Sequence, residues 1–96
     1  MYPEIRGFSP LPDGKLFIEF TSGETGIFDM TPYMKSAFFS ALQNSAYFNS
    51  AHLEFGVITW PMGQDISPTT IKMEMMPAAK PEHVILRTSN YHSIYH

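Results

Sequence analysis

Four side chains in this sequence have the chemical types needed for acid–base catalysis or for binding a small molecule. Asp29 and Asp65 supply carboxylates, His52 supplies an imidazole and Trp60 supplies a flat apolar wall. A carboxylate beside an imidazole forms an acid–base couple, and an aromatic wall suits a concave binding site. One hypothesis is therefore a ligand cleft formed by Asp29, His52, Trp60 and Asp65, in a small-molecule-binding protein or a weak enzyme.

The same residues also have structural explanations, and these are favoured. Trp60 fits the core, Gly63 suits a turn with positive φ, and Asp65 can accept backbone N–H groups at the start of the next helix. Asp29 can end a strand or cap the next segment. The sequence lacks G-x-S-x-G, phosphate-loop and H-E-x-x-H motifs, so we assign no catalytic residue and expect no enzyme.

A metal site is a weaker hypothesis. His92 and His96 are four residues apart, as zinc ligands on one helix face can be. The chain has no cysteine, and these histidines have no evident third ligand. We therefore expect a polar, aromatic tail and assign neither a metal nor a cofactor.

Composition limits the remaining possibilities. The chain has 96 residues, of which 44% are hydrophobic and 16% charged, enough for one domain with one core. The absence of cysteine favours a cytoplasmic protein, and the first residues do not resemble a signal peptide. No apolar run approaches the roughly 18 residues of a membrane span. A net charge of −3 with six scattered Lys and Arg residues argues against nucleic-acid binding.

Strands dominate the first third of the predicted fold. Residues 15–20 alternate between apolar and polar after an Asp13-Gly14 hairpin signal, and residues 25–29 form the next strand. Residues 2–8 form a weaker strand with a bulge or bend near Gly7. These segments predict a three-stranded antiparallel meander.

Helical and strand signals alternate after residue 30. Thr31-Pro32 and Ser67-Pro68 each indicate a helix start, for one or two helices over 32–43 and a short helix over 69–76. Residues 52–60 predict a hairpin that reverses at Phe55-Gly56. We therefore expect a single small α+β domain, with an antiparallel sheet of about five strands and two or three short helices on one face.

Two stretches resemble a known family. They are the alternating strand and glycine turn of residues 16–24, ending at Asp29-Met30, and the Trp-Pro-x-Gly-x-Asp element within residues 57–68. In this order they resemble a small bacterial family without assigned activity, domain-of-unknown-function family 2442, over about residues 3–75. The resemblance implies a compact α+β domain with an antiparallel sheet and no established catalytic residues.

Relatives in that family differ in the segment after the domain. Some carry a DNA-binding helix-turn-helix, and others stand alone beside a gene for a small protein, which suggests toxin–antitoxin-like pairs. Here the residues after Met76 include two prolines and are too few for a helix-turn-helix, so DNA binding is not carried over. We assign residues 1–76 to the family-like domain and 77–96 to an extension that docks on it or on a second subunit.

The abundance of large apolar side chains suggests a contact surface. Seven Met and eight Phe residues are many for this length, and an excess over the core would be covered by a partner. The leading hypothesis is a non-catalytic protein-interaction module whose partner is a second copy, as a homodimer, or a cognate small protein. Strand addition by residues 84–86 at a free sheet edge is one mechanism. The candidate partner-binding residues are Phe17, Phe38, Phe39, Met73, Met76, Val84, Ile85 and Leu86.

Overall fold

The first three strands form the predicted meander. The computed structural model describes residues 3–89 and places β1 at Ile5–Leu11, β2 at Lys15–Phe20 and β3 at Thr25–Asp29. Asp13 and Gly14 both have positive φ, 66° and 74°, as the hairpin signal requires. The β1–β2 register shifts between Ile5 and Gly7, which confirms the bulge expected there.

Short 3₁₀ turns take the place of the one or two helices predicted over 32–43. Residues Thr31–Lys35 and Ser40–Gln43 form 3₁₀ turns, and α1 covers only Ser45–Phe48. The Ser36 hydroxyl accepts the Phe39 N–H at 3.3 Å, and serine side chains that bond nearby backbone groups compete with helix formation. The apolar side chains of residues 32–43 therefore come from separate turns that bend around the core.

A second, smaller sheet follows. It consists of β4 (His52–Glu54), β5 (Val57–Thr59) and β6 (Asp65–Ile66), in that order and antiparallel. Phe55 and Gly56 form the loop between β4 and β5, with φ of 52° and 80°. Two positive φ values in a two-residue loop are typical of a type I′ turn.

Helix α2 and the last strand return the chain to the first sheet. The Ser67 side chain accepts the Thr69 N–H at 3.1 Å and caps α2 (Pro68–Glu74). Strand β7 (Met76–Pro77) pairs with β3, so the larger sheet has the order β1-β2-β3-β7. The described residues thus form four- and three-stranded sheets rather than a single sheet of about five strands.

One hydrophobic core joins these parts and confirms the α+β class. Leu16, Ile18 and Phe20 of β2 face it. The 3₁₀ turns, α1, the second sheet and α2 add side chains to the same core, and these include Met34, Leu42, Phe48, Ile58, Trp60 and Ile71. The helical segments therefore pack on one face of the larger sheet.

The segment after β7 crosses the opposite face of that sheet. It leaves the β3 edge where the Ala78 N–H bonds the Thr25 carbonyl, and it reaches the far edge where Arg87 and Phe8 exchange two backbone hydrogen bonds. A Cβ placed on Gly7 would lie 3.0 Å from the Leu86 Cβ. This segment, residues 78–87, is called the C-terminal strap below.

The strap corrects two expectations. Phe17 was expected on an exposed strand face, but it is fully buried, because the strap covers that face. Val84 is buried as well, and residues 84–86 form no regular strand in the structure. Strand addition by them is therefore not supported, because the strap is already bound to β1 through Arg87.

The hairpin turn generates a testable prediction. A non-glycine residue with positive φ is strained by roughly 1 kcal/mol, whereas asparagine tolerates this conformation. We expect Phe55→Asn to raise the free energy of unfolding by about 1 kcal/mol in urea titrations. Phe55→Ala keeps a Cβ in the same conformation and should give no gain. Equal gains in the two variants would contradict the turn geometry.

Candidate protein-interaction surface

The Trp-Pro-x-Gly-x-Asp element forms a tight turn around a buried indole. Trp60 is fully buried, and its Nε1–H donates to the Phe48 carbonyl at 2.9 Å. Gly63 has φ of +102° and closes the turn by donating its N–H to the Trp60 carbonyl at 2.9 Å. These observations agree with the structural explanation of both residues, and they leave Trp60 unable to line a cleft.

A buried glutamine connects this turn to the helical segments. Gln64 is only 2% exposed, and its Nε2–H donates to the Phe38 carbonyl at 3.0 Å. The Tyr47 hydroxyl donates to Gln64 Oε1 at 2.6 Å and accepts the Met62 N–H at 2.7 Å. One side-chain pair thus holds the backbone of the 3₁₀ region, α1 and the turn together. Because every polar atom of this pair is bonded, its burial carries no desolvation penalty from an unpaired group.

Two residues whose backbone groups bond this network have large, exposed apolar side chains. The residues are Phe38, which is 57% exposed, and Met62, which is 68% exposed. Phe38 stacks edge-on against partly buried Phe39, with ring centroids 5.1 Å apart. We call Phe38 and Met62, with the Tyr47–Gln64 pair beneath them, the Phe38–Met62 surface.

Aromatic contacts anchor this surface to the core. The Phe39 ring contacts Tyr33, at a centroid separation of 6.3 Å, and Tyr33 stacks on buried Phe28 at 5.8 Å. The Tyr33 hydroxyl donates to Glu74 of α2 at 2.5 Å, and this bond raises the pKa of Tyr33. The exposed Phe38 ring is therefore the outer end of a packed row.

The four residues of the hypothetical ligand cleft are not gathered in one cavity. Asp29 ends β3 in the larger sheet, whereas His52 and Asp65 lie on the smaller sheet. His52 and Asp65 each pair with Thr59, so they lie on one face but about two strand spacings apart, roughly 10 Å. With Trp60 buried, these positions do not form the expected cleft.

Asp29 instead caps the turn after β3. Its Oδ1 accepts the Thr31 backbone N–H at 2.9 Å and the Thr31 hydroxyl at 2.7 Å. These two bonds, the backbone one foremost, hold the pKa of Asp29 below its ordinary value. Asp65 was expected to cap α2, but Ser67 does so, because Asp65 is paired within β6 and lies outside the helix start.

Two cavities of the described residues are lined by other side chains. A cavity of about 660 Å³ lies between the β1–β2 turn and α1, lined in part by Pro12, Leu42 and Phe48. A second, of about 380 Å³, lies where Lys72 pairs with Glu24, and this bond lowers the pKa of Glu24. Asp29, His52, Trp60 and Asp65 line neither of them.

Other candidate contact residues lie away from the Phe38–Met62 surface. Met73 of α2, Met76 of β7 and Ile85 of the strap are all exposed, and Leu86 is half-buried. Their part in partner binding stays a prediction, as does the domain boundary after residue 76. Met62 was not among the contact residues expected from the sequence, although its place in the Trp-Pro-x-Gly-x-Asp turn exposes it.

The described part of the chain shows neither a metal-binding cluster nor a membrane-spanning helix. No three or more His, Asp or Glu side chains of residues 3–89 are placed to hold a metal ion. His92 and His96 lie outside the described residues. Within the same range no helix has the length and apolar character needed to cross a bilayer.

Comparison with known proteins gives the family of this domain. The model of a family described as "Protein of unknown function (DUF2442)" matches residues 5–75. The chain belongs to this family. The DUF2442 match covers the strands β1 to β6 and α2, including the turn that supports the Phe38–Met62 surface. No curated protein and no solved structure matches the chain.

The buried amide generates a prediction about stability. Gln64→Leu keeps the side-chain volume but leaves the Phe38 carbonyl and Tyr47 hydroxyl without their partner, at about 2 kcal/mol or more in total. Gln43→Leu is the matched control, because exposed Gln43 makes one bond, to the Met34 carbonyl, and should lose less than about 1 kcal/mol. Urea titration measures both values. Equal losses would contradict the supporting role of Gln64.

The Asp29 cap predicts a pH-dependent stability. Asp29→Ala should lower the free energy of unfolding by about 1 kcal/mol at neutral pH. Because the folded-state pKa of Asp29 is depressed, its contribution is complete above the ordinary value of about 3.9 and is lost as the pH falls through the lower folded value. Urea titrations from pH 7 to pH 2.5 measure the difference from the wild type. Asp65→Ala is the control and should change stability by less than about 0.5 kcal/mol.

Proposed function

We propose that this chain is a non-catalytic protein-interaction module that binds its partner through the Phe38–Met62 surface. The observation that supports the proposal is the pair of exposed apolar side chains above a buried, fully bonded amide. Buried Gln64 and half-buried Tyr47 bond the Phe38 carbonyl and the Met62 N–H, so the backbone beneath both exposed side chains is fixed. Here both ends of the surface depend on Gln64 and Tyr47.

The chemistry of the surface suits a protein partner. Aromatic side chains and methionine are enriched in the buried centres of protein interfaces, and methionine adapts to an irregular partner surface. A backbone that is already ordered loses less conformational entropy on binding. The hydrogen bonds to the Phe38 carbonyl and the Met62 N–H provide that order.

The partner in this proposal is a small cognate protein, as in a toxin–antitoxin-like pair, and the location is the cytoplasm. The gene neighbourhood of stand-alone relatives and the absence of cysteine support these two parts. Two other exposed apolar residues, Met73 of α2 and Met76 of β7, serve as the comparison surface. The ligand cleft receives no support from the positions of its four residues.

The test combines crosslinking with substitution. A photoreactive phenylalanine analogue at position 38, expressed in the native host, should crosslink to one companion protein, whereas the same group at exposed Glu82 should not. Phe38→Ser should weaken binding of the purified companion at least about tenfold by calorimetry. Met73→Ser, which removes a more exposed apolar side chain, should leave binding unchanged.

The results of these experiments distinguish an error in the proposed function from an error in the proposed binding surface. If Met73→Ser abolishes binding while Phe38→Ser does not, the interaction function stands but its surface is wrong. If no companion is crosslinked from position 38 under several growth conditions, the proposal as a whole is wrong. Circular dichroism of each variant checks that the fold is retained.

A further inference from the structure

Within residues 3–89, strand β4 leaves one residue, Leu53, with unpaired backbone groups at the edge of the smaller sheet. Glu54 and Val57 flank the two-residue loop and therefore exchange both hydrogen bonds, so Leu53 must direct its N–H and C=O away from β5. Within residues 3–89, no backbone hydrogen bond joins Leu53 to another segment. This edge is therefore a template for one more antiparallel strand.

The outward positions beside Leu53 are already used. The Ala51 carbonyl accepts a hydrogen bond from Arg87 Nη1 at 2.7 Å, and the Ala51 N–H contacts the Phe48 carbonyl. An added strand consequently has only Leu53 as its main bonding position. A two-fold symmetric pair of β4 strands needs no other bonding position. When Leu53 lies opposite Leu53 of a second copy, its N–H and its C=O both bond that residue.

The side chains on either side of Leu53 are complementary, because the Glu54 carboxylate accepts hydrogen bonds and the His52 imidazole donates one and is cationic only when protonated. His52 and Glu54 project from the same face of β4, are both exposed, and lie 3.2 Å apart between Nε2 and Oε2. In an antiparallel pair centred on Leu53, His52 of one copy lies opposite Glu54 of the other, and the reverse pair forms as well. Non-hydrogen-bonded positions bring side chains closest, which favours these two imidazole–carboxylate pairs.

We infer that β4 pairs with β4 of a second copy of this chain about a two-fold axis at Leu53. The two small sheets then form one six-stranded antiparallel sheet across the dimer. The order of imidazole and carboxylate along β4 is complementary to itself only when the two strands are antiparallel. This interface is separate from the Phe38–Met62 surface and does not depend on the proposed function.

The size of the interface predicts a weak dimer. A three-residue edge with two backbone bonds falls below the roughly 1,200 Å² of stable interfaces. We expect a dissociation constant between about 1 μM and 1 mM, which makes the dimer population depend strongly on protein concentration. Sedimentation velocity of the full chain over that range measures it.

A charge exchange along β4 tests the register. His52→Glu places like charges opposite each other and should weaken the dimer at least about tenfold. Glu54→Lys alone should weaken it also. The double variant His52→Glu with Glu54→Lys restores opposite charges in reversed order and should regain the wild-type dissociation constant within about threefold.

Three results would overturn the inference. The first is a full chain that stays monomeric at every concentration, which would leave the edge to another occupant. The second is a dimer that is equally strong in both single variants. The third is a dimer lost in Phe38→Ser and unchanged by the exchange at positions 52 and 54, which would place self-association on the other surface. Circular dichroism confirms that each variant is folded.

Discussion

The buried amide of Gln64 is the interaction on which the arrangement of the irregular half of this domain depends. Residues 31–51 contain only short helical turns, which have few backbone hydrogen bonds of their own. Gln64 and Tyr47 supply the missing connections by bonding the Phe38 carbonyl and the Met62 N–H. A buried polar network of this kind is stabilising only when every member is bonded, and this one is.

The two faces of the larger sheet are covered in different ways. The core face packs against helical turns, α2 and the second sheet through large apolar side chains such as Phe20 and Ile71. The other face is covered by the C-terminal strap, which is attached at both edges and buries Phe17 and Val84. Some of the many large apolar side chains are therefore buried inside the domain. Those that stay exposed lie at a few separate positions.

Acidic side chains in this fold serve mainly to hold segments together. Asp29 caps the turn at Thr31, Glu74 accepts the Tyr33 hydroxyl, and Glu24 pairs with Lys72. These hydrogen bonds lower the pKa of Asp29 and of Glu24 and raise the pKa of Tyr33. The chemistry suggested by the residue types is thus used for structure, in agreement with the structural explanation of Asp29 and Trp60.

Local chemistry in the sequence was enough to determine the three-stranded meander, its hairpin turns and the start of α2. Asp13-Gly14 adopts its positive φ values, and the alternation of residues 15–20 gives β2, because both depend on near neighbours. The family could also be assigned from short motifs.

Only the tertiary structure decided which side chains are buried, and how. Phe17 is buried by a strap from the other end of the domain, Asp65 loses the cap position to Ser67, and Gln64 has its bonding partners 17 and 26 residues away. Periodicity within a segment shows which residues share a face. It does not show what another segment places against that face, because such contacts depend on the path of the whole chain.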